Sequence, residues 1–372
     1  MRNLWIRIAA WFARKDDLAR RANFRSSQVL VSTASVLLCA FVGAAIAQNQ
    51  SGKTKVQPKH ASPPYWAYAV DSPPDDSGTQ TKPPDDAPQH VPGSAAAFTL
   101  TQIGDYFTAP DWRPDGHPAM PEVVAHGRKP DVIACGYCHL PNGQGRPENS
   151  GLAGLPVGYI VQQMADFKSG ARKSSEHKQL PIAMMIGVAS NANESEIQAA
   201  ADYFSKLKPR PWIRVVETRT VPKTHVAGWM LVADGKGGME PIGPRIIETP
   251  ENLERTELRD DASGFIAYVP AGSINKGKTL VTAGGNGKTL ACAICHGADL
   301  KGSGDVPPIA GRSPSYIVRQ LYDIQNGARA GLAAQAMQAP VAKLTVDDMV
   351  AIAAYTASLR PSLEPVPAGS YR

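Results

Sequence analysis

The sequence predicts a mainly α-helical protein made of two tandem copies of one small domain. A strand-and-loop connector joins the copies, and a disordered, Pro-rich tether precedes them. Three observations lead there. The motif Cys-x-x-Cys-His occurs twice, as Cys135-Gly136-Tyr137-Cys138-His139 and as Cys292-Ala293-Ile294-Cys295-His296. The offset of 157 residues between the copies also carries Tyr159 onto Tyr316 and Gly170-Ala171-Arg172 onto Gly327-Ala328-Arg329, with 10 of 21 positions identical between 152–172 and 309–329. A fixed internal period of this kind marks a duplicated structural unit. Helical periodicity with capping residues recurs inside each copy, whereas the stretch between them is rich in β-prone residues, Gly and Pro.

In chain order, residues 1–28 carry seven Arg or Lys and two Asp, and 29–47 is an apolar stretch ending in Ala45-Ile46-Ala47. Residues 1–47 therefore read as an export signal with a small-x-small cleavage site, or as an uncleaved membrane anchor. Both readings keep the basic end in the cytoplasm and place the rest in the periplasm, soluble or tethered to the inner membrane. Residues 48–97 form the linker, with nine prolines and two Pro-Asp-Asp runs between 48 and 93. Such a composition buries too little apolar surface to fold alone. The aromatic cluster at 65–70 within it suits docking on a domain or a partner, and equally a locally sticky linker.

The first domain is expected over 98–212. An upstream segment at 121–127 precedes the motif. A helix over 156–169 then sets Ile160, Met164 and Phe167 on one face and stops at Gly170. The closing helix opens at Asn193 with Glu196 three residues on and ends at Lys208 before Pro209. The connector, 213–273, has β-prone pieces at 214–220, 229–232, 246–247 and 265–269. The second domain, 274–362, repeats the order. Its upstream segment is 276–283, its middle helix runs from Ser313-Pro314 to Gly327, and its closing helix runs from Thr345, with Asp348 three residues on, to Leu359. A tail, 363–372, ends the chain.

The chemistry lies in the two motifs. Two thiols one short turn apart can take the two vinyl groups of one porphyrin, and the adjacent histidine then sits under the iron. Cys135, Cys138, Cys292 and Cys295 are thus expected to attach two covalently bound haem c groups, with His139 and His296 as proximal ligands. A zinc site would need the cysteine pairs to meet, and a thiol–disulfide pair would not need the histidine twice. The one other cysteine, Cys39, leaves no pair for a structural disulfide.

A later methionine is the natural second axial ligand. Met337 is the only methionine between His296 and the closing helix of its copy. In the first copy Met184 and Met185 lie at the matching place, and aligning Tyr203 with Tyr355 sets Met185 opposite Met337. Met185 is therefore the first-copy candidate, with Met184 and His177 as alternatives and Met164 read as core. Tyr159 and Tyr316 suit the walls of the haem pockets, and Arg172 and Arg329 suit the propionates. A buried Tyr and a helix-end Arg are equally compatible readings. His60, His90, His117, His126 and His225 stand in polar or Pro-rich contexts and are expected at the surface. The formal charge of +6 belongs to the leader: beyond residue 47 there are 32 basic and 31 acidic residues, so nothing supports nucleic-acid binding.

With repeat and ligands in place, the chain resembles dihaem class I cytochromes c, the cytochrome c4 family in particular. The resemblance covers 134–145, 152–208 and 291–359, including Tyr316-Ile317-Val318-Arg319-Gln320-Leu321. It implies two class I cytochrome c domains that carry electrons and catalyse nothing. The implied partners are redox proteins: a dehydrogenase or quinol oxidoreductase upstream, an oxidase or cytochrome downstream. Two features depart from that family, whose halves are joined by a short linker: the connector at 213–273 and the long N-terminal tether. Two other readings stay open. One is a cytochrome subunit fixed in a dehydrogenase complex. The other, a dihaem peroxidase, needs dissimilar haems with one open iron, which two near-identical copies, each with a candidate Met, argue against.

Overall fold

A computed structural model describes residues 62–70 and 86–361. The 1–47 segment, the remaining tether and the 363–372 tail lie outside the described residues. Seven strands and fourteen α-helices are labelled below in chain order.

The first unit is built from α3 (Glu122–Ala125), α4 (Cys135–His139), α5 (Val157–Ser169), α6 (Leu180–Asn191) and α7 (Glu194–Lys206), after two short helices, α1 (Tyr65–Tyr68) and α2 (Leu100–Ile103). The second unit has α9 (Ser273–Ala283), α10 (Ala293–His296), α11 (Pro314–Gln325), α12 (Leu332–Gln335), α13 (Gln338–Val341) and α14 (Val346–Ser358). Both closing helices open with a complete capping box. Asn193 accepts from the N–H of Glu196 while Glu196 reaches back, and Thr345 and Asp348 do the same. Each box is tied to the upstream segment of its own unit. Arg128 Nε donates to Glu196 at 2.7 Å, and the ammonium groups of Lys288 and Lys276 stand 2.5 and 2.9 Å from Asp348. In the second unit α9 crosses α14 so closely that a Cβ on Gly277 would stand 1.9 Å from the Ala351 carbonyl oxygen. Only glycine permits that approach.

The helices differ from the sequence expectation in several places, and α2, α12 and α13 had no forecast. The upstream segment is a full helix in the second unit and a single turn, α3, in the first. Helix α6 had no forecast, because 180–191 is apolar on nearly every side and shows no stripe of period 3.6.

Between the units run β1 (Ile213–Thr218), β2 (Thr220–Pro222), β3 (Thr224–Ala227), β4 (Met230–Ala233), β5 (Met239–Pro241), β6 (Ile247–Pro250), α8 (Leu253–Glu257) and β7 (Phe265–Pro270). Four of these strands fall on the β-prone pieces read from the sequence; β2, β3, β5 and α8 do not. Strand β7 is central: β1 lies parallel to it, Ile213 beside Phe265, and β6 antiparallel, Ile247 beside Tyr268. Strands β3 and β4 form a hairpin, and β2 pairs with β5. One core cluster joins α11 and α14 to buried connector residues such as Val221, Ile247 and Val269, and a second lies within the first unit around Val124, Ile160 and Phe204.

The tether is not uniformly extended where it is described. Helix α1 buries Trp66 and Tyr68, with the Tyr68 hydroxyl donating to Asp323 (2.7 Å) and Arg319 donating to the Ala67 carbonyl (2.6 Å). Val91 joins Ile103, Trp112 and Leu258 in a third cluster. The Pro and Asp content that suggested solvation flanks apolar residues large enough to hold these stretches down.

The two units also meet directly. Lys173 N–H donates to the Ala328 carbonyl and Ala330 N–H to the Ala171 carbonyl, both at 2.7 Å, so the two Gly-Ala-Arg turns pair antiparallel about a local two-fold. The long connector does not prevent this packing.

Candidate haem-binding sites

Helix α4 presents Cys135, Cys138 and His139 to an open-sided cavity of about 70 Å³. Met184 and Met185 line the same cavity from α6, and Met164 from α5, so Met164 is a wall residue and not only core. The rest of the wall is chiefly apolar, with Val132, Leu152, Ile160, Val188 and Phe204 among its members. Sequence periodicity marked Ile160; the others are visible only in three dimensions. His177, the remaining alternative, is not among the lining residues.

The histidines are oriented alike in both units. His139 Nδ1 lies 2.8 Å from the Ser150 carbonyl oxygen, and His296 Nδ1 lies 2.9 Å from the Pro307 carbonyl oxygen, each eleven residues downstream. Nδ1 donating to a carbonyl leaves Nε2 as the free lone pair, the arrangement a metal-ligating imidazole needs. Burial pushes both imidazole pKa values down, which keeps them neutral. Spacing to Ser150 and Pro307 was legible as part of the repeat, but their role was not.

Burial also raises the cysteine thiols, Cys135 to about 12 and Cys292 to about 11. Reactive thiol–disulfide pairs ordinarily have depressed values instead. Among the described residues no three His, Cys, Asp or Glu converge as a metal-binding group.

In the second unit Cys292, Tyr316 and Met337 pack against one core cluster. Met337 stands at the junction of α12 and α13, half-buried, with its N–H bonded to the Ala334 carbonyl. Ile294, the counterpart of Tyr137, is 74 % exposed, and Leu290 and Leu332 are exposed as well.

Arg172 and Arg329 are both buried at the two-fold and are exchanged between units. Arg172 donates to Tyr316 and Gln320 (3.0 and 3.1 Å) and to Gln163 (2.8 Å); Arg329 donates to Tyr159, Gln163 and Gln320 (3.0, 2.9 and 3.0 Å). Neither guanidinium has an ion-pair partner among the described residues, and Arg329 Nε has no hydrogen-bond partner there. Burial works against the Arg329 charge, but Tyr159, Tyr316 and Asp166 favour it. In turn, burial would raise the Tyr316 pKa, yet Arg172 and Arg329 pull it down to about 8. Neither arginine is among the residues that line the first cavity.

His117 departs from the surface position expected of it. Its ring is packed between Asp111 Oδ1 (3.1 Å) and the Tyr203 hydroxyl (3.0 Å). His90, His126 and His225 are exposed, and His60 lies outside the described residues.

Comparison with known proteins agrees with this chemistry. Residues 274–360 match the family described as cytochrome c. The chain is 37 % identical over 236 residues to the thiosulfate dehydrogenase electron acceptor of Stutzerimonas stutzeri (strain A1501), covering 63 % of this chain and 82 % of that one. It is 27 % identical over 232 residues to the protein of the same name from Thiomonas intermedia (strain K12), covering 62 % and 80 %. To cytochrome c4 of Azotobacter vinelandii it is 26 % identical over 248 residues, covering 65 % and 91 %.

Proposed function

Because the chain belongs to the cytochrome c4 family of c-type cytochromes, and so transfers electrons through covalently bound haem c, we propose that it carries two haems, one in each unit. When bound, haem iron supplies a one-electron ferrous–ferric couple. The chain does the rest. Cys135 and Cys138 hold one group, Cys292 and Cys295 the other. His139 and His296 offer Nε2, their rings fixed by the Ser150 and Pro307 carbonyls. Met185 closes the first site, with Met184 beside it on the same wall, and Met337 closes the second. With a histidine and a methionine offered in each unit, no substrate would have a place to bind, and the protein would be a carrier and not an enzyme. The observation that carries this reading is the same histidine-to-carbonyl hydrogen bond, at the same spacing, beside both cysteine pairs.

The place of work we assign is the periplasm, with residues 1–47 as export signal or inner-membrane tether. The donor is a dehydrogenase or quinol oxidoreductase and the acceptor an oxidase or another cytochrome. The names of two relatives support a dehydrogenase as donor. A pyridine haemochrome assay on purified protein should return two haems per chain. A haem-stained gel of fractionated cells should show the band in periplasm or membrane. One haem per chain, or haem-stained protein in the cytoplasm, would refute the respective part.

A further inference from the structure

The wall of the first cavity contains one residue from outside its own unit. Every other lining residue lies between 123 and 204, but Trp229 comes from the connector. It sits at the tip of the β3–β4 hairpin, where Gly228 (φ 56°) and Trp229 (φ 64°) make the two-residue turn. Turns of this type are ordinarily filled by Asn and Gly, because positive φ crowds a Cβ. A tryptophan there is held against its own backbone preference, and such outliers persist only where the surroundings over-determine them.

Those surroundings are visible. Met230, the next residue, is buried, with Sδ 3.1 Å from Arg146 Nη2. Arg146 is itself paired with the buried Glu148 at 2.8 Å. Both belong to the loop that follows the first motif, so the hairpin tip is fastened to the site it faces. In the second unit, by contrast, Ile294 and Leu290 beside the motif are exposed.

We propose that Trp229 is a positioning residue that closes the first haem site, keeping water and small ligands from the first iron while the second site stays accessible. The inference rests on the two-haem reading above. An apolar cover matters because the shell around a metal site controls solvent access and effective dielectric.

The test is cyanide binding to the oxidised holoprotein, followed by loss of the Met–iron absorption at the red end of the spectrum. Wild type should react in two phases, the slower one at the covered iron. Trp229→Gly removes the indole and relaxes the turn. It should accelerate the slow phase by about tenfold, the lower end of outer-shell effects at metal sites, and leave the fast phase alone. Its melting temperature should stay level or rise, whereas a merely structural tryptophan would lower it without moving the slow phase. Trp229→Phe should keep the slow phase. A single phase in wild type, or an unchanged slow phase in Trp229→Gly, overturns the proposal provided two haems are present. One haem per chain would instead overturn the reading it rests on.

Discussion

Tyr137 and Ile294 occupy the same place in the two motifs, yet Tyr137 is 4 % exposed and Ile294 is 74 % exposed. Tyr137 lies under the guanidinium of Arg259, 3.6 Å from the ring centre, and its carbonyl accepts from Arg259 Nη1. Residues 140–148 that follow it are buried, with Asn142 donating to the Asp261 carbonyl (2.7 Å) and Trp212 to the Gly145 carbonyl (3.1 Å). The matching 297–305 stretch is mostly exposed. Inside, the units agree: the histidine hydrogen bonds, the capping boxes and the exchanged arginines all repeat. The difference is thus imposed from outside the repeated frame, by Arg259 and Asp261 of the connector and by Trp212 just before it. Two near-identical sites become unequal without a change in the ligands proposed for them.

Disturbing the cover should be the costliest change and should act on one site. Trp112 is 1 % exposed and donates Nε1–H to the Leu258 carbonyl at 2.9 Å, fastening the start of the first domain to the connector. Trp112→Ala should lower unfolding free energy by roughly 3–5 kcal/mol, as large-to-small core changes do, measured by urea titration. It should perturb the spectrum of one haem only; equal perturbation of both would break the contrast.

The two-fold itself should respond evenly. Arg172→Ala and Arg329→Ala each remove hydrogen bonds from a charged donor, worth about 1.5–3 kcal/mol, and the two losses should match. A gap larger than about 1 kcal/mol, well beyond the usual error in adding such effects, would show that the cross-unit packing is not symmetric.

The smallest effect is expected at the second capping box. Burial works against ionisation of Asp348, but Lys288, Thr345 and Lys276 outweigh it and hold its pKa well below the carboxylate range. The sign follows: this stability is present above the ordinary carboxylate pKa and is lost as pH falls through that range toward the folded value. Asp348→Asn should cost about 1 kcal/mol at neutral pH, in line with a lost cap. It should also flatten the acid side of the stability profile; an unchanged profile would remove Asp348 from the account.

What could be read from the sequence was local or repeated. The Cys-x-x-Cys-His copies, the caps at Asn193 and Thr345 and the stop at Gly170 depend on neighbours within a few residues. The offset of 157 exposed the duplication. Helix α6 was illegible because it is apolar on most sides, and the packed His117 because its partner Tyr203 is 86 residues away. Trp229 gave no signal at all. Its β-prone neighbourhood placed it on a strand, and only the fold brings that hairpin to a cavity made by 123–204.

The most direct test of unequal sites in a duplicated frame is a spectropotentiometric titration of Met337→His beside wild type. Burial in apolar surroundings disfavours the charged ferric state, so the covered first haem should hold the higher potential. Wild type should therefore titrate in two one-electron steps, and Met337→His should shift the lower step further down while the upper stays in place. Two superimposed steps in wild type, or a shift of the upper step in the variant, would contradict it.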